Sequence, residues 1–266
     1  MYFEDFEYDG LVLSDFGYIT CTFDGGGTET VSNGSEVNFN TTPMNFGKKS
    51  LLSNTSYPNC LETTFSICKD PCKSETGNMD PLLTEDIREL MRWLNRRGFY
   101  KFKPYADGYE NIFFEGSFNI SKIESGGIVI GLELHLITNR PYGLHEPVTH
   151  NFTAQANTPV YIIDRSDDVG CTNINMEITC TSSGNLTIHN NIEDRTVVIN
   201  NCSSGEKIIL NDPIISSSVS SHKIQNDFNF NFPRLANTIG NSQNIFTFSI
   251  PCTVKITYTP VRKVGL

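Results

Sequence analysis

Apolar and polar residues alternate along most of the chain, and this period of two predicts a mainly β protein. The clearest alternating run, residues 128–137, follows another such run, residues 112–120, after the turn residues Glu124-Ser125-Gly126-Gly127. Two alternating runs joined by a glycine-containing turn predict a long β-hairpin. Gly116 interrupts the first run, and we predict a β-bulge at that position.

One stretch has a helical period instead. Its apolar residues follow one another at i, i+3, i+4 and i+7, which predicts one amphipathic α-helix whose buried core face consists of Ile87, Leu90, Met91 and Leu94. Full burial of four such side chains contributes roughly 6–12 kcal/mol. Ordering about 14 backbone residues costs roughly 14–28 kcal/mol. The helix must therefore lie on a larger structure, and the surrounding sequence predicts that this structure is built of strands.

The ends of the helix and the segments before it also carry local signals. Thr84 is predicted as the N-cap and Gly98 as the C-terminal stop. Residues 10–23 alternate as a half-buried strand before a turn at Asp24-Gly25-Gly26-Gly27. Further strands are predicted as two short ones within residues 28–56 and one at Thr63–Cys68.

The second half is richer in Asn, Ser and Thr and carries little charge. This shift predicts a domain boundary near 140–150, with one domain at residues 1–146 and another at 147–266. Regular short strands separated by turns favour an antiparallel sandwich or jelly roll, and they are Val160–Ile163, Ile174–Cys180, Asn185–His189, Thr196–Ile199, Lys207–Leu210, Phe246–Ile250 and Val254–Tyr258. The run Phe228-x-Phe230-x-Phe232 is interpreted as core-facing, and a sugar-binding shelf is the alternative.

The charge is distributed unevenly. A net charge of −10 over 266 residues argues against a nucleic-acid binder, which needs basic surface to displace counterions. Residues 1–47 contain no Lys or Arg but eight acids, namely Glu4, Asp5, Glu7, Asp9, Asp15, Asp24, Glu29 and Glu36. Residues 88–103 are basic through Arg88, Arg92, Arg96, Arg97, Lys101 and Lys103.

Three of these arginines recur at i, i+4 and i+8 and share one face of the predicted helix. Either the face is solvated, or it meets acidic surface on the same or a neighbouring subunit. No apolar window reaches the length of a membrane span, and the acidic N-terminus lacks the pattern of a signal peptide, so we expect neither export nor a membrane.

Catalytic and metal-binding motifs are not evident. His145 and His150 are five residues apart with Pro147 between them, so they cannot share a helical face as in a zinc protease. Of the eight cysteines, Cys60, Cys68 and Cys72 form the only cluster. We interpret the cysteines as reduced and mostly buried, with a small zinc or disulfide site at this cluster as the alternative. The sequence thus predicts a protein that is not an enzyme and has no cofactor and no metal.

Several blocks of the sequence resemble the distal tail protein (Dit) family of long-tailed phages of Gram-positive bacteria. They cover nearly the whole chain without one diagnostic residue, and they are Arg92–Pro104, Gly108–Ile120, Gly131–Tyr142, Gly184–Ile188, Gly205–Leu210, Arg234-Leu235 and Thr257–Lys263. Residues 60–75 fit the family pattern less well.

The resemblance implies a fold, an assembly and a location. It implies an N-terminal β-sandwich with one α-helix and a long β-hairpin, followed by a C-terminal galectin-like antiparallel β-sandwich. Family members form a homo-hexameric ring at the virion tail tip that joins the tail tube protein to the hub or tip protein and the receptor-binding protein. Such a protein is made in the host bacterial cytoplasm, and DNA passes through its lumen without specific binding. The alternative is a carbohydrate-binding, lectin-like adhesion module.

A closed ring needs two complementary surfaces on each subunit. We therefore predict an inter-subunit interface between the acidic N-terminal region and the basic helix. The acidic residues are Asp5, Glu7, Asp9 and Asp15, and the basic residues are Arg88, Arg92, Arg96, Arg97 and Lys101.

Overall fold

The computed structural model describes residues 3–23, 34, 36–44, 49–74, 80–240 and 242–265, which form two units. One unit comprises Met1–Leu144 with Lys263–Leu266, and the other His145–Arg262. The sequence placed all of residues 147–266 in the second domain. The last residues instead pack on the first unit, where the Tyr109 hydroxyl donates to the Gly265 carbonyl at 2.9 Å.

In its described residues, the first unit is a β structure with one α-helix. Its helix α1 spans Thr84–Leu94, and short 3-10 turns cover Leu13–Phe16 and Pro71–Lys73. Its strands are β1 (Asp5–Tyr8), β2 (Leu11–Val12), β3 (Tyr18–Cys21), β4 (Asn38–Pro43), β5 (Ser50–Ser56), β6 (Glu62–Lys69), β7 (Tyr100–Tyr105), β8 (Ile112–Ser125), β9 (Ile128–Thr138) and β10 (Gly143–His145). The main sheet has the order β2-β1-β7-β8-β9-β6-β3, with β10 beside β8.

The main sheet curls around a core of aromatic side chains. The Phe6 ring on β1 lies 5.6 Å from Phe65 on β6, 5.3 Å from Phe102 on β7 and 5.9 Å from Phe118 on β8. Strands that are distant in the sheet order therefore meet through their inward side chains. The same apolar core includes Leu90, Trp93 and Leu94 of α1, so the helix packs on these aromatic side chains.

The predicted long hairpin is formed by β8 and β9, but the bulge is not at Gly116. The register shifts between Ile123 and Glu124, whereas Gly116 pairs regularly with Thr138. Gly116 has a different role, because a Cβ there would lie 2.6 Å from Leu136 Cδ1 and 3.0 Å from the Ile137 carbonyl oxygen. The glycine allows a close approach inside the sheet.

Strands β4 and β5 form a separate two-stranded sheet, in agreement with two short strands predicted in this region. Every residue of both strands is exposed. Three of these exposed residues are large and apolar: Phe39 is 66% exposed, Leu51 is 52% exposed and Leu52 is 57% exposed. The predicted turn at Asp24-Gly25-Gly26-Gly27 lies outside the described residues.

The second unit is a β-sandwich. Its strands are β11 (Val148–Ala154), β12 (Val160–Ile163), β13 (Gly170–Asn173), β14 (Asn175–Cys180), β15 (Gly184–Asn190), β16 (Arg195–Cys202), β17 (Lys207–Asn211), β18 (Ile214–Ser217), β19 (Arg234–Asn237), β20 (Gln243–Phe248), β21 (Cys252–Tyr258) and β22 (Val261–Arg262). One sheet has the order β11-β21-β14-β17-β18 and the other β12-β20-β15-β16, while β13 pairs with β19. Alternate side chains of both sheets form one apolar core.

A connection with a single helical turn, α2 (Ile224–Asp227), precedes the three phenylalanines. Phe228 and Phe232 are buried as predicted, but Phe230 is 64% exposed. Its backbone φ of 57° turns the side chain away from the core. The core interpretation is therefore wrong for Phe230.

Candidate assembly surfaces

The buried face of α1 differs from the predicted face by one residue. Leu90 and Leu94 are buried and Ile87 is half-buried, but Met91 is exposed and Trp93 is buried in its place. The Trp93 ring stacks on Phe16 at 4.6 Å, and its Nε1–H donates to the Tyr8 carbonyl at 3.1 Å. Met91 was thus wrongly assigned to the core, because the contacts with Phe16 and Tyr8 place Trp93 on the buried face instead.

The helix ends are held by residues other than those predicted. Thr84 is the first helical residue, and the Asp86 carboxylate accepts a hydrogen bond from the Leu83 N–H at 2.8 Å. Burial raises the pKa of Asp86, but the ion pair with Lys69 at 2.7 Å and the Leu83 N–H outweigh burial and lower it. The aspartate therefore remains charged where the helix dipole favours an anion.

At its other end the helix stops before the predicted glycine. Asn95 is the C-cap, and its side-chain amide donates to the Phe118 carbonyl at 2.7 Å. Gly98 lies beyond the helix with φ of 132°, so it serves the turn into β7. The predicted stop at Gly98 is wrong because a side-chain bond to β8 ends the helix earlier.

The basic stripe divides into two parts. Arg88 and Arg92 are exposed, and with Ile87 and Met91 they line a shallow groove of about 590 Å³ on the outer surface of α1. Arg96 instead folds back on its own subunit. Its Nη1 lies 2.9 Å from Asp9 Oδ2, and its guanidinium lies 3.7 Å from the centre of the Tyr100 ring.

The contact of Arg96 and Asp9 with a neighbouring subunit stays a prediction, and within one chain the two residues form an ion pair. The pair forms because Arg96 directly follows the C-cap of α1 and Asp9 directly follows β1, whereas Arg96 Nε and Nη2 are buried without a hydrogen-bond partner within the part of the chain that the structure describes. Arg97 is exposed, and the Lys101 ammonium lies 4.7 Å from the centre of the Phe113 ring. Arg88 and Arg92 are left as the most available cations of the stripe among the described residues.

The acidic residues of the first unit gather on a second surface. Asp5 pairs in register with Tyr105, and Glu7 Oε2 lies 3.4 Å from the Tyr105 hydroxyl. Burial raises the pKa of Tyr105, and the charges of Glu7, Asp5 and Asp15 raise it further. These three carboxylates are thus close enough to act on one phenol.

Beside these acids lies an open depression of about 680 Å³. It is lined by Phe3, Glu4, Asp5, Lys103, Pro104, Tyr105, Ala106, Asp107 and Glu110. Asp107 and Glu110 were missed by the sequence analysis because they lie in the turn after β7, about 100 residues from the N-terminal acids. Only the pairing of β1 with β7 brings the two groups together.

The second unit contains one buried charged cluster. Glu206 is fully buried and accepts hydrogen bonds from the Ser203 N–H at 2.8 Å and from the Ser217 hydroxyl. His222 Nδ1 lies 2.5 Å from Glu206 Oε1, and His222 Nε2 lies 3.3 Å from Asp227 Oδ2. The described groups that bond to Glu206 and His222 all belong to the sandwich itself. The cluster therefore holds the connection that contains α2 in place.

The cysteine cluster predicted as an alternative zinc or disulfide site is not assembled. Cys60 and Cys72 are exposed, whereas Cys68 is buried and accepts a hydrogen bond from the Cys21 thiol. Among the described residues, no three or more His, Cys, Asp or Glu side chains are grouped so as to hold a metal ion. No helix in the described part of the chain has the length and apolar character needed to cross a membrane.

Comparisons with known proteins give family and fold. Residues 1–140 match a phage tail protein N-terminal domain, and residues 142–258 match a phage tail C-terminal domain. The fold is similar to that of the Dit protein of phage SPP1, with a TM-score of 0.66 and 14% identity over 97% of this chain and 99% of that one. A chain of the phage P2 baseplate aligns with a TM-score of 0.45 and 7% identity over 97% of this chain and 98% of that chain. No curated protein sequence matches the chain.

Proposed function

The chain belongs to the phage tail protein family to which these two domains are assigned, and from this premise we propose that it forms a ring of six subunits at the tail tip. The ring joins the tail tube protein to the hub or tip protein and offers a base for the receptor-binding protein. The subunit is made in the host bacterial cytoplasm and ends in the virion. Its work is structural and does not involve catalysis.

The shared fold is the observation that carries this proposal. The alignment with SPP1 Dit runs through both units, and that protein is described as a paradigm of the hub adsorption apparatus in phages that infect Gram-positive bacteria. A hub-like tail protein with this architecture works as a repeated building block. The net charge of −10 also disfavours retention of DNA in the lumen.

A ring that closes on itself requires two different surfaces on each subunit, and the first unit offers two of opposite charge. We place the groove with Arg88 and Arg92 of one subunit against the acidic depression of the next. Glu4, Asp5, Asp107 and Glu110 line that depression and outnumber its one cation, Lys103. Glu7 and Asp15 add negative charge near Tyr105. Arg97 and Lys101 are further cations that we assign to the basic surface.

The two-stranded sheet of β4 and β5 supplies a second, apolar contact. An isolated two-stranded sheet is marginally stable in water, and here the side chains of Phe39, Leu51 and Leu52 remain exposed. Packing against the next subunit would remove this surface from water. The ring thus combines a charged and an apolar interface.

Native mass spectrometry and negative-stain imaging of the purified full chain test the proposal. We expect a hexameric ring, and we expect the double variant Arg88→Glu/Arg92→Glu to remain folded by circular dichroism while losing the ring. Lys122→Glu/Lys223→Glu, which reverses two exposed lysines elsewhere, serves as the matched control. A monomer at all concentrations contradicts the ring, and an unchanged hexamer in the arginine variant contradicts the interface.

A second candidate function is saccharide binding by the second unit. The exposed Phe230 ring, 5.4 Å from the buried Phe228 ring, is the observation that favours it. Binding of the purified chain to a glycan array, lost in Phe230→Ala, would support this function. A chain that binds no glycan would contradict it.

A further inference from the structure

Three buried thiols meet at one end of the sandwich core. Cys180 ends β14, Cys202 ends β16 in the facing sheet, and Cys252 begins β21. Their exposed fractions are 0%, 2% and 0%. Cys252 lies directly opposite Cys180 in register, so Cys180 has one candidate partner in its own sheet and another in the facing sheet.

The backbone holds Cys202 next to Cys180. The N–H of Cys180 donates to the Glu206 carbonyl at 2.9 Å, and the carbonyl of Cys180 accepts from the Gly205 N–H at 2.7 Å. Both partners belong to the turn that follows Cys202 directly. Two bonds to this turn therefore anchor the end of β16 against the end of β14.

The two thiols are joined by a hydrogen bond in which they have distinct roles. The Cys180 thiol donates a hydrogen bond to the Cys202 sulfur, and the Cys202 thiol donates to the Ile199 carbonyl at 3.5 Å. The bond from Cys180 lowers the pKa of Cys202, although burial opposes this effect, while the pKa of Cys180 is raised. Cys202 thus has the greater thiolate character, and a thiolate is the reactive form of cysteine.

We propose that Cys180 and Cys202 are a redox-active pair that forms an inter-sheet disulfide on reaction with hydrogen peroxide. The Cys202 thiolate attacks one peroxide oxygen and the O–O bond breaks, which gives a sulfenic acid on Cys202 and a hydroxide. The hydroxide takes up the proton that Cys202 had lost and becomes water. Cys180 sulfur then attacks Cys202 sulfur, the S–O bond breaks, and the leaving hydroxyl departs as a second water with the proton of Cys180.

The new bond joins the five-stranded sheet to the four-stranded sheet and closes a loop of roughly 20 residues. Such a crosslink stabilises a domain mainly by restricting its unfolded chain. A thiol pair remains reduced in bacterial cytoplasm, and peroxide outside the cell can oxidise it. This biological setting rests on the proposed place of the protein in a virion, whereas the thiol chemistry does not.

The test uses the full chain with the exposed thiols removed by Cys60→Ser, Cys72→Ser and Cys171→Ser. After treatment with hydrogen peroxide under native conditions, we expect the intact mass to fall by two hydrogens. Non-reducing peptide mapping should then link the peptides of Cys180 and Cys202. The oxidised chain should also unfold at a higher urea concentration, and a reductant should reverse both changes.

Two matched variants separate the possible partners. In that background, Cys252→Ser should retain the crosslink and Cys202→Ser should lose it. A Cys180–Cys252 link, a link confined to Cys21 and Cys68, or both thiols unreacted after peroxide would overturn the proposal. Because the measurement does not depend on oligomeric state, a chain that fails to form rings can still pass it.

Discussion

At the scale of single residues, Trp93 decides which face of α1 is buried. The periodicity of Ile87, Leu90 and Leu94 is compatible with either Met91 or Trp93 as the fourth core residue. The choice falls on Trp93 because its Nε1–H reaches the Tyr8 carbonyl and its ring stacks on Phe16. A sequence pattern contains no information on either partner.

The first prediction compares these two positions. Trp93→Ala removes a buried ring and leaves the Tyr8 carbonyl without its donor, so we expect the free energy of unfolding to fall by about 3–5 kcal/mol. Met91→Ala removes a side chain that is 37% exposed, against 7% for Trp93, and should cost less, about 1 kcal/mol. Urea unfolding followed by circular dichroism measures both variants. Tryptophan fluorescence cannot be used, because Trp93 is the only tryptophan and the first variant lacks it. Equal losses would contradict the burial of Trp93 in preference to Met91.

The second prediction concerns the pH dependence of the second unit. Burial raises the pKa of Glu206, but bonds from Ser217, Ser203 and His222 outweigh burial, so the pKa lies below its ordinary value of 4.5. Burial lowers the pKa of His222, but the bond to Glu206 and its charge outweigh burial, so the pKa lies above 6.5.

The two shifts have opposite consequences. A lowered carboxyl pKa stabilises the fold above pH 4.5, and this stability is lost as the pH falls through the folded-state value. A raised histidine pKa stabilises the fold fully below pH 6.5, and this stability is lost as the pH rises through the folded-state value. Stability should therefore be greatest between pH 4.5 and 6.5.

Urea unfolding followed by circular dichroism, from below pH 4.5 to well above pH 6.5, checks the result. His222→Gln should flatten the decline on the alkaline side, whereas His135→Gln in the first unit should leave it in place. A decline of equal steepness in the His222 variant would show that another group titrates.

At the scale of elements, local signals found the strands and the hairpin but misassigned their irregularities. The alternating runs became β8 and β9, yet the register shift lies beside the turn and Gly116 lies within the regular ladder. A glycine in a strand indicates either a bulge or a close approach. Only the position of Leu136 and the Ile137 carbonyl distinguishes the two.

The third prediction follows from this close approach. Gly116→Val places atoms against Leu136 and the Ile137 carbonyl, so we expect a loss of about 1–3 kcal/mol in the free energy of unfolding. Ser121→Val, at an exposed position of the same strand, should change it by no more than about 0.5 kcal/mol. Thermal and urea unfolding of both variants provide the comparison. A Gly116 variant as stable as the Ser121 variant would contradict the close contact.

At the scale of the whole molecule, the pairing of β1 with β7 gathers an acidic surface from both ends of the first unit. Arg88 and Arg92 project from α1 as its proposed counterpart. The fourth prediction tests this complementarity by charge exchange. Arg88→Glu/Arg92→Glu and Asp15→Lys/Asp107→Lys should each abolish rings alone, because like charges then meet at every interface.

Mixing the two variants should restore a closed ring in which they alternate, because each interface then pairs Glu with Lys or Arg with Asp. Combining all four substitutions in one chain should restore the ring as well. Native mass spectrometry of the three proteins gives the readout. Raising the salt concentration should weaken the wild-type ring. Dissolved ions weaken the attraction between exposed charges, and the screening length is about 10 Å at 0.1 M salt and shorter at higher salt. A quadruple variant that remains monomeric would exclude a direct pairing of these groups.

The sequence by itself determined the β class, the helix α1, the long hairpin and most of the short strands of the second half. These features depend on side-chain periods of two and 3.6 residues, which neighbouring residues set. Tertiary structure alone decided the burial of Trp93, the Arg96–Asp9 pair, the return of the C-terminal residues to the first unit and the contact of Cys180 with Cys202. Each of these joins residues far apart in the chain, so its free energy depends on a partner that no local period can specify.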